Sequence, residues 1–114
     1  MAAASENVER EVKFLEIDKD AVVARLNELG ARDLGDKLLT EVIFYPEDPN
    51  EPEGKRWVRV RNDGTKTKVS YKSILNRSGM EVEEIEFEAS DAQKAEDFIL
   101  ALGWQISRRQ EKRR

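Results

Sequence analysis

The sequence contains no cysteine and no histidine among its 114 residues. Without cysteine there is no disulfide framework and no thiolate metal site. Without histidine there is no Ser-His or Cys-His nucleophile pair and no imidazole-bound zinc. Any catalysis must then use carboxylates, lysine, arginine, tyrosine, or a metal held by oxygen. Long apolar runs and a secretory signal are missing too, so a cytoplasmic protein without a membrane span is expected. The length suits one domain with one modest core.

What the chain has in abundance is charge. Charged residues make up 39% of it, and 24 acidic against 20 basic side chains leave a net charge of −4. That global sign argues against non-specific binding to nucleic acid or anionic membrane, although a local basic patch can still hold phosphate. The apolar residues are patterned rather than sparse, so the chain is expected to fold.

MAAASEN (1–7) is expected to be a short disordered leader before a single domain over 8–114. VEREVKFLEI (8–17) alternates as a strand does, with Glu9, Glu11 and Lys13 on one face. Asp18 or Asp20 can cap a helix in which Val22, Leu26 and Leu29 form an apolar stripe, stopped by Gly30. LLTEVIFY (38–45) reads as a strand and the Pro-rich 46–55 as a loop. RWVRVRN (56–62) and TKTKVSYKS (65–73) read as a hairpin turning at Asp63-Gly64. After a loop at 74–79, EVEEIEFEA (81–89) is a further strand. Ser90-Asp91-Ala92-Gln93 has the form of a capping box, before a helix with Ala95, Phe98, Ile99 and Leu102 on one face and a stop at Gly103. QISRRQEKRR (105–114) reads as a last strand. A faint repeat relates the two strand-helix units, with Glu11, Val12 and Phe14 matching Glu84, Ile85 and Phe87.

Alternation also assigns faces. Val58, Val60, Val69 and Tyr71 form one face of the hairpin, and Arg59, Arg61, Lys66, Lys68, Ser70 and Lys72 the other. In the strand at 81–89, Ile85, Phe87 and Ala89 oppose Glu84, Glu86 and Glu88. An ordinary antiparallel sheet with one solvated face would also carry charge outward. Two details favour more than that. The charges are segregated by strand, cationic on the hairpin and carboxylate-rich on the other two. The strands are also too poor in apolar residues for a two-sided core. If the sheet curls, cations and carboxylates face each other across a lumen. Arginine and lysine there can neutralise a phosphate chain, and paired carboxylates can hold Mg²⁺ or Mn²⁺.

Glu9-x-Glu11-x-Lys13 resembles the N-terminal signature of the CYTH family, the triphosphate tunnel metalloenzymes. That family includes class IV adenylate cyclases, thiamine triphosphatases and inorganic tripolyphosphatases. Trp57-Val58-Arg59-Val60-Arg61, Lys68-Val69-Ser70-Tyr71-Lys72, the run from Glu83 to Asp91, and Glu111-Lys112-Arg113-Arg114 resemble later family segments, in the family's order. The resemblance spans 8–114. It implies an α+β fold: an antiparallel β-sheet curling into a partial, tunnel-like barrel with two amphipathic helices packed outside.

It also implies a metal-dependent hydrolase of inorganic or organic triphosphate, with Mg²⁺ or Mn²⁺ as cofactor. By position, Glu9, Glu11, Glu84 and Glu86 would be metal ligands, with Glu84 or Glu86 aiding the water. Lys13, Arg59, Arg61, Lys68, Lys72, Lys112 and Arg114 would bind phosphate, the face of the last two being unfixed by the pattern. Trp57 and Tyr71 read as packing residues rather than ligand stackers. There are departures from the family pattern. Val82 stands where an arginine is frequent, the second strand is read as lacking the acidic residue that many members carry near Val42, and the C-terminal strands of relatives are lacking. A shortened chain or closure of the tunnel by a second copy in a homodimer is therefore expected. The alternatives are adenylate cyclase chemistry on ATP, a non-catalytic polyphosphate- or nucleotide-binding module, and a weakly supported nucleic-acid-binding hairpin.

Overall fold

The computed structural model describes residues 8–52 and 54–114. The leader expected at 1–7 lies outside them. In chain order the elements are β1 (Val8–Arg10), α1 (Lys19–Glu28), β2 (Leu38–Pro46), β3 (Arg56–Asn62), β4 (Thr67–Ile74), β5 (Glu81–Ala89), α2 (Ala92–Ala101) and β6 (Trp104–Arg113). The strands form one sheet in the order β1-β5-β4-β3-β2-β6, with antiparallel neighbours throughout. The α+β class and the curled, unclosed sheet agree with the sequence pattern. Among the described residues no helix is long and apolar enough to cross a membrane.

The β3–β4 turn follows from Asp63-Gly64. Asp63 Oδ1 accepts hydrogen bonds from the backbone N–H of Thr65 at 2.9 Å and of Lys66 at 2.8 Å, while Gly64 takes φ +94°. Those backbone donors hold the Asp63 carboxyl well below the usual range. Asp18 caps α1, accepting from Ala21 N at 3.2 Å. The cap of α2 is Asp91, not Ser90. Asp91 has the extended backbone and its Oδ1 accepts from Lys94 N at 3.0 Å, so the helix starts one residue later than a Ser90 box requires.

The core lies on the outer face, where Val42 and Phe44 of β2, Val60 of β3 and Val69 of β4 pack against Ile99 of α2. Trp104 and Ile106 of β6 join this layer. A bulge in the β2–β6 ladder, between Ile43 and Phe44, sets Arg108 opposite Ile43 but Ile106 opposite Phe44. Ser107 is the extra residue. It lets Ile106 enter the core while Arg108, two residues later, turns to the other face.

Two expectations need correction. The strand expected over 8–17 ends at Arg10. β1 runs antiparallel to β5, and Arg10 pairs with Glu81, the first residue of β5. Past that point, among the described residues, only the Glu11 backbone N–H bonds to the sheet region, to Met80 O at 3.0 Å. The chain beyond has no strand to pair with, and Phe14 and Leu15 stand 77% and 85% exposed. Second, among the described residues only α2 places buried side chains against the sheet. α1 is an amphipathic helix as expected, but it contains no buried residue and its stripe of Val22, Leu26 and Leu29 is exposed.

The two helices should therefore respond differently to truncation. Ile99→Ala is expected to cost about 2–5 kcal/mol in urea unfolding, whereas Leu26→Ala should stay within about 0.5 kcal/mol. A large loss at Leu26 would mean that α1 packs in solution.

Candidate functional site

Glu9 of β1 and Arg108 and Lys112 of β6 line one cavity, although they come from opposite edges of the sheet. In a flat six-stranded sheet those edges would stand about 24 Å apart. The sheet must curl, and its polar inner face becomes the wall. The cavity is about 550 Å³, within the range of small-molecule sites. Every residue expected at the site from the sequence lines it: Glu9, Glu11, Lys13, Arg59, Arg61, Lys68, Lys72, Glu84, Glu86, Lys112 and Arg114. Lys112 and Arg114 share the inner face, which resolves the uncertainty about β6. Trp57 also lines the cavity, on the Arg59 face of β3, while Tyr71 sits on the outer face beside Ile85 and Phe87.

Three further polar residues were missed. Arg108 and Gln110 escaped notice because the bulge at Ser107 changes the parity of β6. Glu41 contradicts the reading that the second strand lacks an acidic residue near Val42: it is next to Val42 and lines the cavity. It is 3% exposed, and it pairs across the ladder with Arg61 on one side and Gln110 on the other. Its signal was present in the sequence. It is the only charged residue in LLTEVIFYP, on the same alternation as the inward Ile43 and Tyr45.

Glu41 organises the basic wall. Arg61 Nε donates to Glu41 Oε2 at 2.5 Å, Gln110 Nε2 donates to Oε1 at 2.6 Å, and Arg59 Nε lies 3.9 Å from Oε2. Burial opposes ionisation of Glu41. The hydrogen bonds from Gln110 and Arg61 and the charges of Arg61 and Arg59 outweigh it, so its pKa is lowered. Arg59 shows the reverse balance: desolvation and the neighbouring Arg61 lower its pKa, against partial support from Glu41, Glu84 and Glu86. Arg59 Nε and Arg61 Nη2 are buried without an oriented hydrogen-bond acceptor, although Nη2 lies at ion-pair distance from Glu41. Donor capacity thus remains on the arginine wall.

The acidic wall is held by lysines. Lys72 Nζ stands 3.1 Å from Glu9 Oε2 and 3.1 Å from Glu84 Oε2. Glu86 accepts from Ser70 Oγ at 2.8 Å and lies 3.5 Å from Lys68 Nζ. For Glu86, too, the Ser70 hydrogen bond and Lys68 overcome the opposing effect of burial, and the pKa is lowered. Glu11 and Lys13 are 3.9 Å apart at the rim. Among the described lining side chains, eight cations face five carboxylates. The cavity carries an excess of positive charge inside a chain whose net charge is −4. That local sign selects an anion.

The residues from 7 to 114 match the family model described as CYTH domain. This chain belongs to the CYTH family. Its fold is similar to the PH1012 protein of Pyrococcus horikoshii OT3, with TM-score 0.70 and 26% identity over 94% of this chain and 59% of that one. A conserved hypothetical protein from Pyrococcus furiosus shares the fold at TM-score 0.66 and 23% identity, over 94% of this chain and 60% of that one. The PH1819 protein of Pyrococcus horikoshii OT3 shares it at TM-score 0.60 and 18% identity, over 94% and 59%. The CYTH chain described here thus spans about three-fifths of the length of these structures. No curated protein sequence matches it.

CYTH proteins generally depend on a divalent metal. Glu9, Glu11, Glu84 and Glu86 offer hard oxygen donors on one wall, the chemistry that Mg²⁺ or Mn²⁺ prefers. Among the described residues, however, no three carboxylates converge as a ready metal site. The donors fit the ion in kind, and lysine ammonium groups hold them in place.

The depressed pKa values of Glu41 and Glu86 give stability a pH dependence of definite sign. Their contribution is present above the ordinary value of 4.5 and is lost as pH falls through the lower folded values. Urea unfolding should therefore show a plateau near neutrality and a decline below about pH 4.5. Glu41→Gln should lower stability at pH 7 by about 1.5–3 kcal/mol and flatten that decline. A variant as stable as the parent would rule out the role of Glu41 as the arginine anchor.

Proposed function

We propose that this chain binds a triphosphate in the charged cavity and hydrolyses it with a divalent metal. One observation carries the reading: carboxylates and an excess of cations occupy facing walls of the same cavity. A triphosphate chain needs both, because its oxygens must be neutralised along their length while the terminal phosphoryl group is exposed to water. Arg59 and Arg61, fixed by Glu41, would clamp phosphate oxygens, with Lys68 and Lys72 beside them and Lys13, Lys112 and Arg114 at the rim. Glu9, Glu11, Glu84 and Glu86 would hold Mg²⁺ or Mn²⁺. When bound, that ion supplies charge neutralisation at the phosphates and lowers the pKa of water. Glu84 or Glu86 would accept the proton of the attacking water at a carboxylate oxygen.

The unclosed sheet favours one second reading, binding of polyphosphate or nucleotide without turnover. Pairing of an open edge with a second copy would complete the tunnel and restore the first reading; light scattering that finds only monomers argues against such closure. Cyclase chemistry would use the same triphosphate clamp with the ribose 3′-hydroxyl as nucleophile, and formation of cyclic AMP from ATP would reveal it.

The deciding assay is phosphate release from inorganic tripolyphosphate. Release with Mg²⁺ and its loss in EDTA are expected. Binding that survives EDTA, with no release, would support the binding module instead. Arg59→Ala should raise KM roughly ten- to a hundred-fold, the equivalent of one or two charge-assisted hydrogen bonds. Glu11→Gln should weaken the metal dependence, and an unchanged Mg²⁺ titration would remove Glu11 from the ligand set.

A further inference from the structure

Lys72 occupies an unusual position for a phosphate-binding residue. Its ammonium group does not point free into the cavity but sits between two carboxylates, 3.1 Å from an oxygen of each. Its side chain is 12% exposed. The three groups come from three strands: Lys72 from β4, Glu84 directly opposite it on β5, and Glu9 from β1. β1 is joined to the sheet by three residue pairs only. Two carboxylates brought together on one wall repel each other, and a short strand offers little to resist that repulsion. A cation between them is required, and Lys72 supplies it.

We infer that the Lys72 ammonium is a resident counter-ion that assembles the Glu9–Glu84 pair and competes with the divalent ion for it. This inference rests on the triphosphate reading of the cavity. Charge bookkeeping gives it a direction. With Lys72 in place the two carboxylates keep one uncompensated negative charge. A divalent ion would neutralise both, but it must first displace the ammonium, which then needs an anion of its own. Phosphate oxygens on the adjoining arginine wall provide that anion. Metal and anion therefore assist each other, and the coupling is reciprocal. The metal alone meets an occupied site. The same arrangement fits the lack, among the described residues, of a ready metal centre at Glu9 and Glu84.

The test is a manganese titration of the intact chain without phosphate, following free Mn²⁺ by its paramagnetic resonance signal. Lys72→Met keeps the stem length and removes the charge. It should bind Mn²⁺ at least tenfold more tightly than the parent. Lys66→Met removes one charge from outside the cavity lining, where Lys66 pairs with Glu88 at 3.3 Å, and should change affinity less than twofold. Equal gains in the two variants would attribute the effect to the general field and overturn the inference. Unchanged or lost affinity in Lys72→Met would overturn it as well. Should Lys72→Met fail to fold, the unsubstituted chain provides the second measurement. Sulfate, a tetrahedral dianion and weak chelator, should raise its Mn²⁺ affinity several-fold, and no rise would refute the coupling. Manganese bound by neither chain, with or without sulfate, overturns both this inference and the triphosphatase reading. Binding that ignores Lys72 and sulfate overturns the inference alone.

Discussion

Two guanidinium groups on alternate residues of one strand repel each other, and the curled sheet brings Arg59 and Arg61 inward together. Glu41 makes that arrangement tenable. It is buried in β2, bonded to Arg61 of β3 and Gln110 of β6, and within Coulombic reach of Arg59. One carboxylate thus compensates the basic wall and ties three neighbouring strands on the inner face. The attraction is strong because little water reaches Glu41, and removal of one partner is correspondingly costly. The excess positive charge of the cavity survives because a single carboxylate serves two arginines.

The outer face works by a different principle. There Phe44, Val60, Val69 and Ile99 remove apolar surface from water, with α2 as the covering layer. The division of labour between the faces explains how a chain with so much charge folds: the apolar residues are concentrated on one side of one sheet. The cover is partial. An apolar groove between α2 and β5, bordered by Ile85, Phe87 and Phe98, remains open, and the stripe of α1 is exposed.

On the acidic side, ion pairing stands in for hydrophobic packing. β1 has little apolar contact and few ladder pairs, so the Lys72 bridge between Glu9 and Glu84 anchors it. The function proposed for these carboxylates and the stability of the edge strand thus draw on the same groups. On the proposed reading, metal, phosphate and the docking of β1 would be coupled through one lysine.

Strict alternation in 56–62, 67–74 and 81–89 settled the faces of β3, β4 and β5 from the sequence alone, and with them the inward placement of Arg59, Lys68, Lys72, Glu84 and Glu86. Period 2 needs no tertiary information when one face is apolar and the other charged. The hairpin at Asp63-Gly64 was legible for the same local reason. Glu41 left a weaker mark: it is the only charge in a strand apolar on both faces, so alternation there gives no contrast to say which face is inward. The inward turn of Arg108 and Gln110 depends on the bulge at Ser107, a property of the β2–β6 pairing that no local pattern records. The end of β1 at Arg10 was decided by where β5 begins, since a strand extends only as far as its partner. The sequence by itself determined which side chains share a strand face. The tertiary structure decided how the faces meet, because curl, bulge and strand length are set by pairing between segments far apart in the chain.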